Sequence, residues 1–266
     1  MNRSEKLLYL INYLLSENSD YKRIAISESE EERFRLFRSL VNIRAPEPVS
    51  EDFLKVQDEF LQEITTKKGI VYYKDLTPIK PRIYLWRGDI TTLKCGAVVN
   101  AANSQMLGCF CPCHGCIDNA IHTFSGVQLR LECSEMMRAL SASRKTLQGY
   151  EEPVGRAKIT SAYNLPCEKI IHTVGPYVGG KLTEEHCGQL RSCYSECLKT
   201  AVQNGISSIA FCCISTGEFH FPNEKAAEIA VQTVSGFLQN NSEIEVIFNV
   251  FKDNDYTIYK RLLSGN

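Results

Sequence analysis

The sequence predicts an α/β protein that carries a helical N-terminal extension. Up to about Gly69 the apolar residues recur only at helical spacing, whereas from Pro81 onward short apolar runs alternate with helical segments. Near-continuous apolar strands between helices are typical of a three-layer α/β/α fold around a mixed or mostly parallel central sheet. We therefore predict a helical extension at residues 1–76 and an α/β domain at residues 77–266.

The extension is predicted to contain three helices. Two of them cover residues 5–17 and 31–44, where apolar residues are spaced three and four apart. The third covers residues 50–69, with Ser50 as N-cap, acidic residues in its first turn, lysines in its last turn and Gly69 as C-cap. We expect the extension to pack on the α/β domain and to narrow its pocket or dock a substrate protein.

The α/β domain is predicted to alternate strands and helices along its whole length. The predicted strands cover residues 82–90, 96–103, 155–164, 169–177, 206–216 and 243–251. The predicted helices cover residues 116–140, 184–205, 224–239 and 255–263. In such folds ligands bind outside the carboxyl ends of the strands.

Composition excludes several classes of partner. Thirty Lys and Arg residues balance 31 Asp and Glu residues, so the chain has no electrostatic footprint for nucleic acid or an anionic membrane. The apolar run from Leu7 to Leu15 is too short to span a bilayer, and no small-residue cleavage site follows it. The chain is also too long and helix-rich for a disulfide scaffold, despite its 12 cysteines. We expect a cytoplasmic protein with mostly reduced thiols.

Polar segments follow three of the predicted strands. Asp89 lies in the first, Asn100–Asn103 form the second, and Ser215–Pro222 form the third, which leads into a helix. Successive backbone N–H groups between a strand and a helix make a cradle for an anion, and Gly217 allows close approach. Taken alone this is a weak phosphate signal, because a plain strand-to-helix turn explains it equally well.

A cluster of metal-ligating residues lies between Gly108 and His122. It contains four cysteines and two histidines: Cys109, Cys111, Cys113, Cys116, His114 and His122. Thiolates and imidazole together favour zinc or a comparable thiophilic metal. The residues themselves leave three alternatives open: an open three-ligand site, a closed structural site built from four thiolates and His114, or a redox-active pair.

Five motifs, in this order, resemble the macrodomain family, whose α/β fold binds ADP-ribose. They are GDIT, VVNAAN, IDNAIH, IHTVGP and STGEFHFP. The resemblance implies that Asp89 accepts a hydrogen bond from the adenine amino group with Ile90 beside it, and that Asn103 binds the distal ribose. It also implies that a loop wraps the diphosphate and brings Phe219 near the distal ribose; the loop residues are Ser215, Thr216, Gly217, Glu218 and Phe219.

The segment before IDNAIH departs from most macrodomains and resembles the zinc-containing branch of the family. The usual glycine-rich loop is replaced by GCFCPCHGC, and Glu218 and His220 replace an apolar residue and a glycine. The resemblance implies zinc bound by Cys109, His114 and Cys116. With three protein ligands this is an open, catalytic arrangement. Cys111 and Cys113 leave it undecided whether either replaces one of these ligands.

The resemblance implies hydrolysis of ADP-ribose from a modified protein side chain. Zinc would lie at the distal ribose, where it acts as a Lewis acid or activates a water. Asp118 would handle the proton, although its position also suits a helix cap. The zinc branch is associated with lipoyl-carrier proteins that a sirtuin-like ADP-ribosyltransferase modifies. Alternatives are an ADP-ribose reader with structural zinc, an O-acetyl-ADP-ribose deacetylase and a thiol redox sensor.

Several titratable residues are interpreted as core residues instead of ligands. His122 and His172 lie in apolar surroundings and are expected to be hydrogen-bonded core histidines. The remaining cysteines of the apolar strand 206–216 and of the helix 184–205 are expected to be packing residues.

Overall fold

The computed structural model describes residues 1–144 and 150–265 and confirms the α/β fold with its helical N-terminal part. The extension contains helices α1 (Arg3–Ser16), α2 (Glu30–Ile43) and α3 (Glu51–Lys68). The caps predicted for α3 are confirmed, because the Ser50 side chain accepts a hydrogen bond from the backbone N–H of Phe53 and Gly69 adopts a φ of 92°.

The remaining elements follow the predicted order, with three additional short strands. In chain order they are β1 (Val71–Tyr72), β2 (Pro78–Lys80), β3 (Ile83–Arg87), β4 (Leu93–Lys94), β5 (Ala97–Ala102), α4 (Ile117–Ser125), α5 (Val127–Arg144), β6 (Ala157–Ser161), β7 (Lys169–Val174), α6 (Glu184–Gln203), β8 (Ser208–Phe211), α7 (Asn223–Gln239), β9 (Glu245–Val250) and α8 (Asp253–Ser264). Strands β1, β2 and β4 have only two or three residues, too few for a period-two pattern. The predicted domain boundary after residue 76 lies between β1 and β2.

A mixed seven-stranded sheet forms the centre of the α/β domain. Its order is β2-β3-β9-β8-β5-β7-β6, and only the outer pairs β2–β3 and β6–β7 are antiparallel. Helices α6, α7 and α8 contact one another in series, whereas α4 contacts α5 and the extension helices α2 and α3. Among the described residues, no helix combines the length and apolarity that a bilayer crossing needs.

The extension shares one hydrophobic core with the α/β domain. Phe37 of α2 and Phe60 of α3 are fully buried, with ring centroids 5.6 Å apart in an edge-to-face contact. Phe34 of α2 stacks on Phe124 of α4 at 6.3 Å between centroids. The expectation that the extension packs on the α/β domain is therefore confirmed.

The single helix predicted at residues 116–140 is wrong, because two helices meet at Gly126. Gly126 has a φ of 99°, a left-handed conformation that is strained for any residue with a side chain. An added Cβ would lie 2.5 Å from Gln128 Oε1 and 2.6 Å from Gln57 Nε2. The apolar periodicity continues across the break, so the pattern alone did not reveal it.

We expect Gly126→Ala to lower the free energy of unfolding by about 1–3 kcal/mol, because alanine is strained at this φ. The matched control is Gly236→Ala in α7, where an added Cβ meets no atom within 4 Å and φ is not left-handed. Alanine there should stabilise the protein by about 0.5–1 kcal/mol, since it favours helix. Urea denaturation of both variants measures the two effects, and equal shifts of the same sign would contradict this account of the break.

Candidate active site

Parallel strand pairing brings the three predicted polar segments to one edge of the sheet. Strands β3, β9, β8 and β5 pair in parallel, so their carboxyl ends lie on the same side. Asp89 follows β3, Asn103 follows β5 and Ser215 follows β8. The three segments therefore lie at the same edge of the sheet, where ligands usually bind in open α/β folds.

Asp89 caps a short 3-10 turn and also contacts the extension. Its Oδ1 accepts hydrogen bonds from the Thr91 backbone N–H at 3.0 Å and the Thr91 hydroxyl at 2.6 Å. Lys68, the last residue of α3, donates to Asp89 Oδ2 at 2.8 Å. Burial acts to raise the pKa of Asp89, but the hydrogen bonds from Lys68 and Thr91 outweigh it and lower the pKa. Asp89 is therefore held as a carboxylate acceptor, with Ile90 buried beside it.

Asn103 presents an amide oxygen without a hydrogen-bond partner. Its Nδ2 donates to the carbonyl of Gly108 at 3.0 Å, whereas its Oδ1 is buried and accepts no hydrogen bond from the described residues. Buried polar atoms are normally paired, so this oxygen is suited to accept a hydroxyl of a bound ligand. The contact between Asn103 and the distal ribose stays a prediction.

The loop after β8 forms an anion cradle. Ser215 has a φ of 64° and a buried hydroxyl without a partner among the described residues. The loop closes on itself through bonds from Phe221 N–H to the Ser215 carbonyl and from His220 N–H to the Gly217 carbonyl. Within the described chain, the N–H groups of Gly217, Glu218 and Phe219 donate no hydrogen bond. Three successive free donors suit a diphosphate.

Gly175 of the IHTVGP motif keeps this loop close to the strand end of β7. A Cβ on Gly175 would lie 2.0 Å from Ser215 Oγ, so a larger residue would displace the serine. Thr216 turns inward and its hydroxyl donates to the Cys213 carbonyl at 3.0 Å. The Phe219 carbonyl accepts from Val178 N–H at 2.9 Å, and the Phe219 ring meets Tyr177 edge to face.

Three of the predicted metal ligands meet within the cysteine loop, which we define as residues 108–116. The ligand atoms of Cys109, His114 and Cys116 all lie within 4.8 Å of one another, and Cys109 Sγ is 3.7 Å from His114 Nδ1. Donor atoms around a tetrahedral zinc ion lie about 3.3–3.8 Å apart, given its usual bond lengths. The Cys109–His114 distance lies in that range, and thiolates with an imidazole suit zinc; three protein ligands would leave one of its four positions unfilled by the described residues.

The other two loop cysteines do not join this group. Cys111 is exposed, and Cys113 Sγ lies against the extension, 3.2 Å from Ser39 Oγ and 3.4 Å from the carbonyl oxygen of Arg35. The other ring nitrogen of His114, Nε2, lies 3.6 Å from Glu218 Oε1. The alternative with four thiolates around one ion is not supported by this arrangement.

Burial raises the pKa of Cys116 to about 12, with a further contribution from the neighbouring Cys109 thiol. The Cys116 sulfur also serves as N-cap of α4, since it accepts from the backbone N–H of Asn119 at 3.4 Å. A bound divalent cation reverses this preference, because coordination deprotonates a thiol. Without a bound cation, the raised pKa keeps Cys116 a neutral thiol at neutral pH.

Asp118 faces the interior and does not cap α4, so the cap interpretation is wrong. Its Oδ1 accepts from Asn100 Nδ2 at 2.8 Å and lies 3.6 Å from His122 Nε2. Burial raises the pKa of Asp118 to about 6, although Asn100 and the charge of Arg130 oppose the shift. A carboxyl that titrates near neutrality is suited to accept and release a proton.

His122 and His172 are buried as predicted, but only His172 is hydrogen-bonded. His172 contacts Asn100 Nδ2 at 3.1 Å and Thr160 Oγ1 at 2.8 Å through its two ring nitrogens. Neither ring nitrogen of His122 has a hydrogen-bond partner among the described residues. Burial holds the pKa of His122 well below its usual value, so the ring is neutral. Cys133 lies close enough to both rings to form a second group of potential ligand atoms.

Sequence analysis missed the site residues that come from the extension. Lys68 of α3 binds Asp89, and its ammonium lies 3.6 Å from the centroid of the Phe124 ring. Arg38 of α2 donates to the His114 carbonyl at 2.8 Å. In the sequence, Lys68 and Arg38 look like ordinary charged residues of amphipathic helices. No local motif connects them with Asp89 or His114, which lie later in the chain.

Comparisons with known proteins agree with the fold and the motifs. The family model of the macro domain matches residues 99–230. The protein-ADP-ribose hydrolase of Treponema medium is 51% identical over 269 residues, which cover 99% of this chain and 100% of that protein. A Fusarium oxysporum f. sp. cubense protein named "Probable bifunctional ADP-ribose hydrolase/ADP-ribosyltransferase" is 40% identical over 87% of this chain and 41% of its own length.

A solved structure extends the agreement to three dimensions. The Trypanosoma brucei macrodomain in complex with ADP-ribose aligns with a TM-score of 0.63 at 27% identity, over 90% of this chain and 97% of that one. The match of the family model, together with 51% identity along the whole chain to a protein-ADP-ribose hydrolase, shows that the chain belongs to the macro domain family, among its protein-ADP-ribose hydrolases.

Proposed function

We propose that this chain is a zinc-dependent hydrolase that removes ADP-ribose from a modified protein side chain. The observation that carries the proposal is the meeting of Cys109, His114 and Cys116 at the ligand edge of the sheet, with one coordination position left over. A closed structural site would use a fourth protein ligand. When bound, zinc supplies Lewis acidity beside the scissile bond.

The other residues of the site would bind the substrate or transfer a proton. Asp89 accepts from the adenine amino group, the N–H groups of Gly217, Glu218 and Phe219 bind the diphosphate, and Asn103 Oδ1 accepts from the distal ribose. These contacts hold the glycosidic carbon in place. Water adds to that carbon as its bond to the side-chain atom breaks; the side-chain atom leaves with the bonding electron pair and takes up the proton that Asp118 removes from the water.

The proposed substrate is an ADP-ribosylated lipoyl-carrier protein, with a sirtuin-like ADP-ribosyltransferase as the enzyme that modifies it. The Fusarium relative supports a link of this kind, because its name joins an ADP-ribose hydrolase and an ADP-ribosyltransferase in one chain. An open site edge is required for a protein substrate, and the exposed Glu218 and His220 lie at that edge.

Metal content and ADP-ribosyl release, measured together on the same preparation, test the proposal. We expect about one zinc per chain, loss of release after chelation, and recovery with zinc but not with magnesium, since thiolates select the softer ion. Binding of ADP-ribose without release would favour the reader, and release of acetate from O-acetyl-ADP-ribose alone would favour the deacetylase. Reversible disulfide formation without nucleotide affinity would favour the redox sensor.

We expect Asp118→Asn to slow ADP-ribosyl release by about 10²–10⁴-fold, the usual contribution of general acid–base catalysis. Asparagine keeps an oxygen for Asn100 and removes a buried carboxylate, so the free energy of unfolding should not fall. Single-turnover assays, zinc analysis and urea denaturation measure these effects. Asp75→Asn, an exposed site on a 3-10 turn, is the matched control. Full activity of Asp118→Asn with normal zinc content would assign the proton to another group.

A further inference from the structure

Helix α2 of the extension contacts the backbone of the cysteine loop directly. Arg38 Nη2 donates to the carbonyl of His114 at 2.8 Å, and Asn42 Oδ1 accepts from the backbone N–H of Cys113 at 2.9 Å. Two consecutive loop residues are therefore fixed by side chains one turn apart on the same helix. One of these loop residues, His114, is a proposed zinc ligand.

Asn119 of α4 connects the same arginine with a third point of the loop. Arg38 donates to Asn119 Oδ1 from Nη2 at 2.7 Å and from Nε at 3.2 Å, and Asn119 Nδ2 donates to the Cys111 carbonyl at 2.9 Å. Asn119 is fully buried, so its amide has no water to replace these partners. Its backbone N–H also binds the sulfur of Cys116.

The contacts with α2 also hold a strained residue in place. Cys113 has a φ of 54°, which is unfavourable for a residue with a Cβ. Its sulfur lies against Ser39 and the carbonyl of Arg35, and Asn42 additionally donates to Thr123 Oγ1 at 2.9 Å. Such a conformation persists only where the surroundings determine it. Helix α2 supplies those surroundings.

We propose that α2 is a positioning element of the metal site, and that Arg38 holds the cysteine loop in the conformation that brings Cys109, His114 and Cys116 together. The inference rests on the proposed function, since it takes these residues as the zinc ligands. The planar guanidinium donates to two acceptors at once, which a lysine ammonium does not reproduce in the same geometry. Groups outside the ligand set typically change metal affinity 10–100-fold when removed.

The experiment compares Arg38→Ala and Arg38→Lys with the matched control Arg35→Ala in the full-length chain. Arg35 lies one turn earlier on α2 and is exposed, and its backbone carbonyl, which alanine keeps, accepts the hydrogen bond from Cys113. Two quantities are measured: the zinc dissociation constant, by competition with a chromogenic chelator, and the alkylation rate of Cys113 in zinc-free protein, by mass spectrometry. Cys111, which is exposed, serves as the internal reference thiol.

We expect Arg38→Ala to raise the zinc dissociation constant by about 10-fold or more and to speed alkylation of Cys113 relative to Cys111, with Arg38→Lys in between. Arg35→Ala should change neither. A lower melting temperature of Arg38→Ala with unchanged zinc affinity and alkylation would show a purely structural role and overturn the inference. If the wild type binds no zinc, the proposed function fails, and the alkylation rates alone decide whether Arg38 holds the loop.

Discussion

We expect His114→Ala to lose zinc and to slow ADP-ribosyl release by about 10²–10⁴-fold. Lewis-acid stabilisation contributes several kcal/mol to a transition state, and each 1.36 kcal/mol corresponds to a factor of ten. Binding of ADP-ribose should remain, because the imidazole lies against the Glu218 side chain and bonds neither Asp89 nor the backbone N–H groups of Gly217–Phe219 in the described structure. Elemental analysis, a release assay on an ADP-ribosylated protein and calorimetric titration with ADP-ribose measure the three quantities.

The matched control is His186→Ala, a histidine in the first turn of α6 whose side chain hydrogen-bonds Thr183. It should keep its zinc and its activity. If His114→Ala loses zinc but hydrolyses at the wild-type rate, the metal orders the loop and the chemistry depends on Asp118 and water. That outcome would contradict the zinc-dependent step while leaving the binding assignments intact.

We expect Phe60→Ala to lower the free energy of unfolding by about 3–5 kcal/mol, since it removes a fully buried ring from the core that the extension shares with the α/β domain. The cavity would lie beside Phe37 and Phe34, the latter stacked on Phe124 of α4. We further expect one unfolding transition for the whole chain. Urea denaturation at a fixed zinc concentration, followed by far-UV circular dichroism, measures both.

Phe251→Ala makes the same substitution at a ring that is 77% exposed, just after β9. Its effect should stay within about 0.5 kcal/mol. Two separate transitions in the Phe60→Ala variant, one for the extension and one for the rest, would show that the two parts fold independently. In that case the contacts of Arg38 and Lys68 could not hold the site together.

Signals that depend on neighbouring residues were sufficient to predict most of the helices and strands. Ser50 and Gly69 marked both ends of α3, because caps depend on neighbouring residues only. The break at Gly126 was not predicted, since glycine also occurs inside helices and the apolar pattern continues across it. Its left-handed conformation fits the close approach of Gln57, which is 69 residues earlier in the chain.

The candidate site was predictable where a motif carried it and not where the extension contributes. Asp89, Asn103 and the Ser215–Phe219 loop follow strands that short apolar runs identify, so their position at one edge of a parallel sheet could be expected. The resemblance to the zinc-containing branch implied Cys109, His114 and Cys116, whereas the residues alone left the ligand set open, because that set depends on how the loop folds. Arg38 determines part of that fold through contacts that no sequence spacing encodes.

The hydrogen bond between Arg38 and Asn119 joins residues 81 positions apart in the chain, so the ribosome makes Arg38 well before its partner. Ribosomes add about 5–20 residues per second, so α2 emerges roughly 4–16 s before the residue that Arg38 must meet. For most of that interval the face of α2 that contacts the cysteine loop has no partner, because the loop itself emerges only near the end of it. The proposed zinc site of Cys109, His114 and Cys116 is therefore completed late in synthesis, after the loop and Asn119 have reached helix α2.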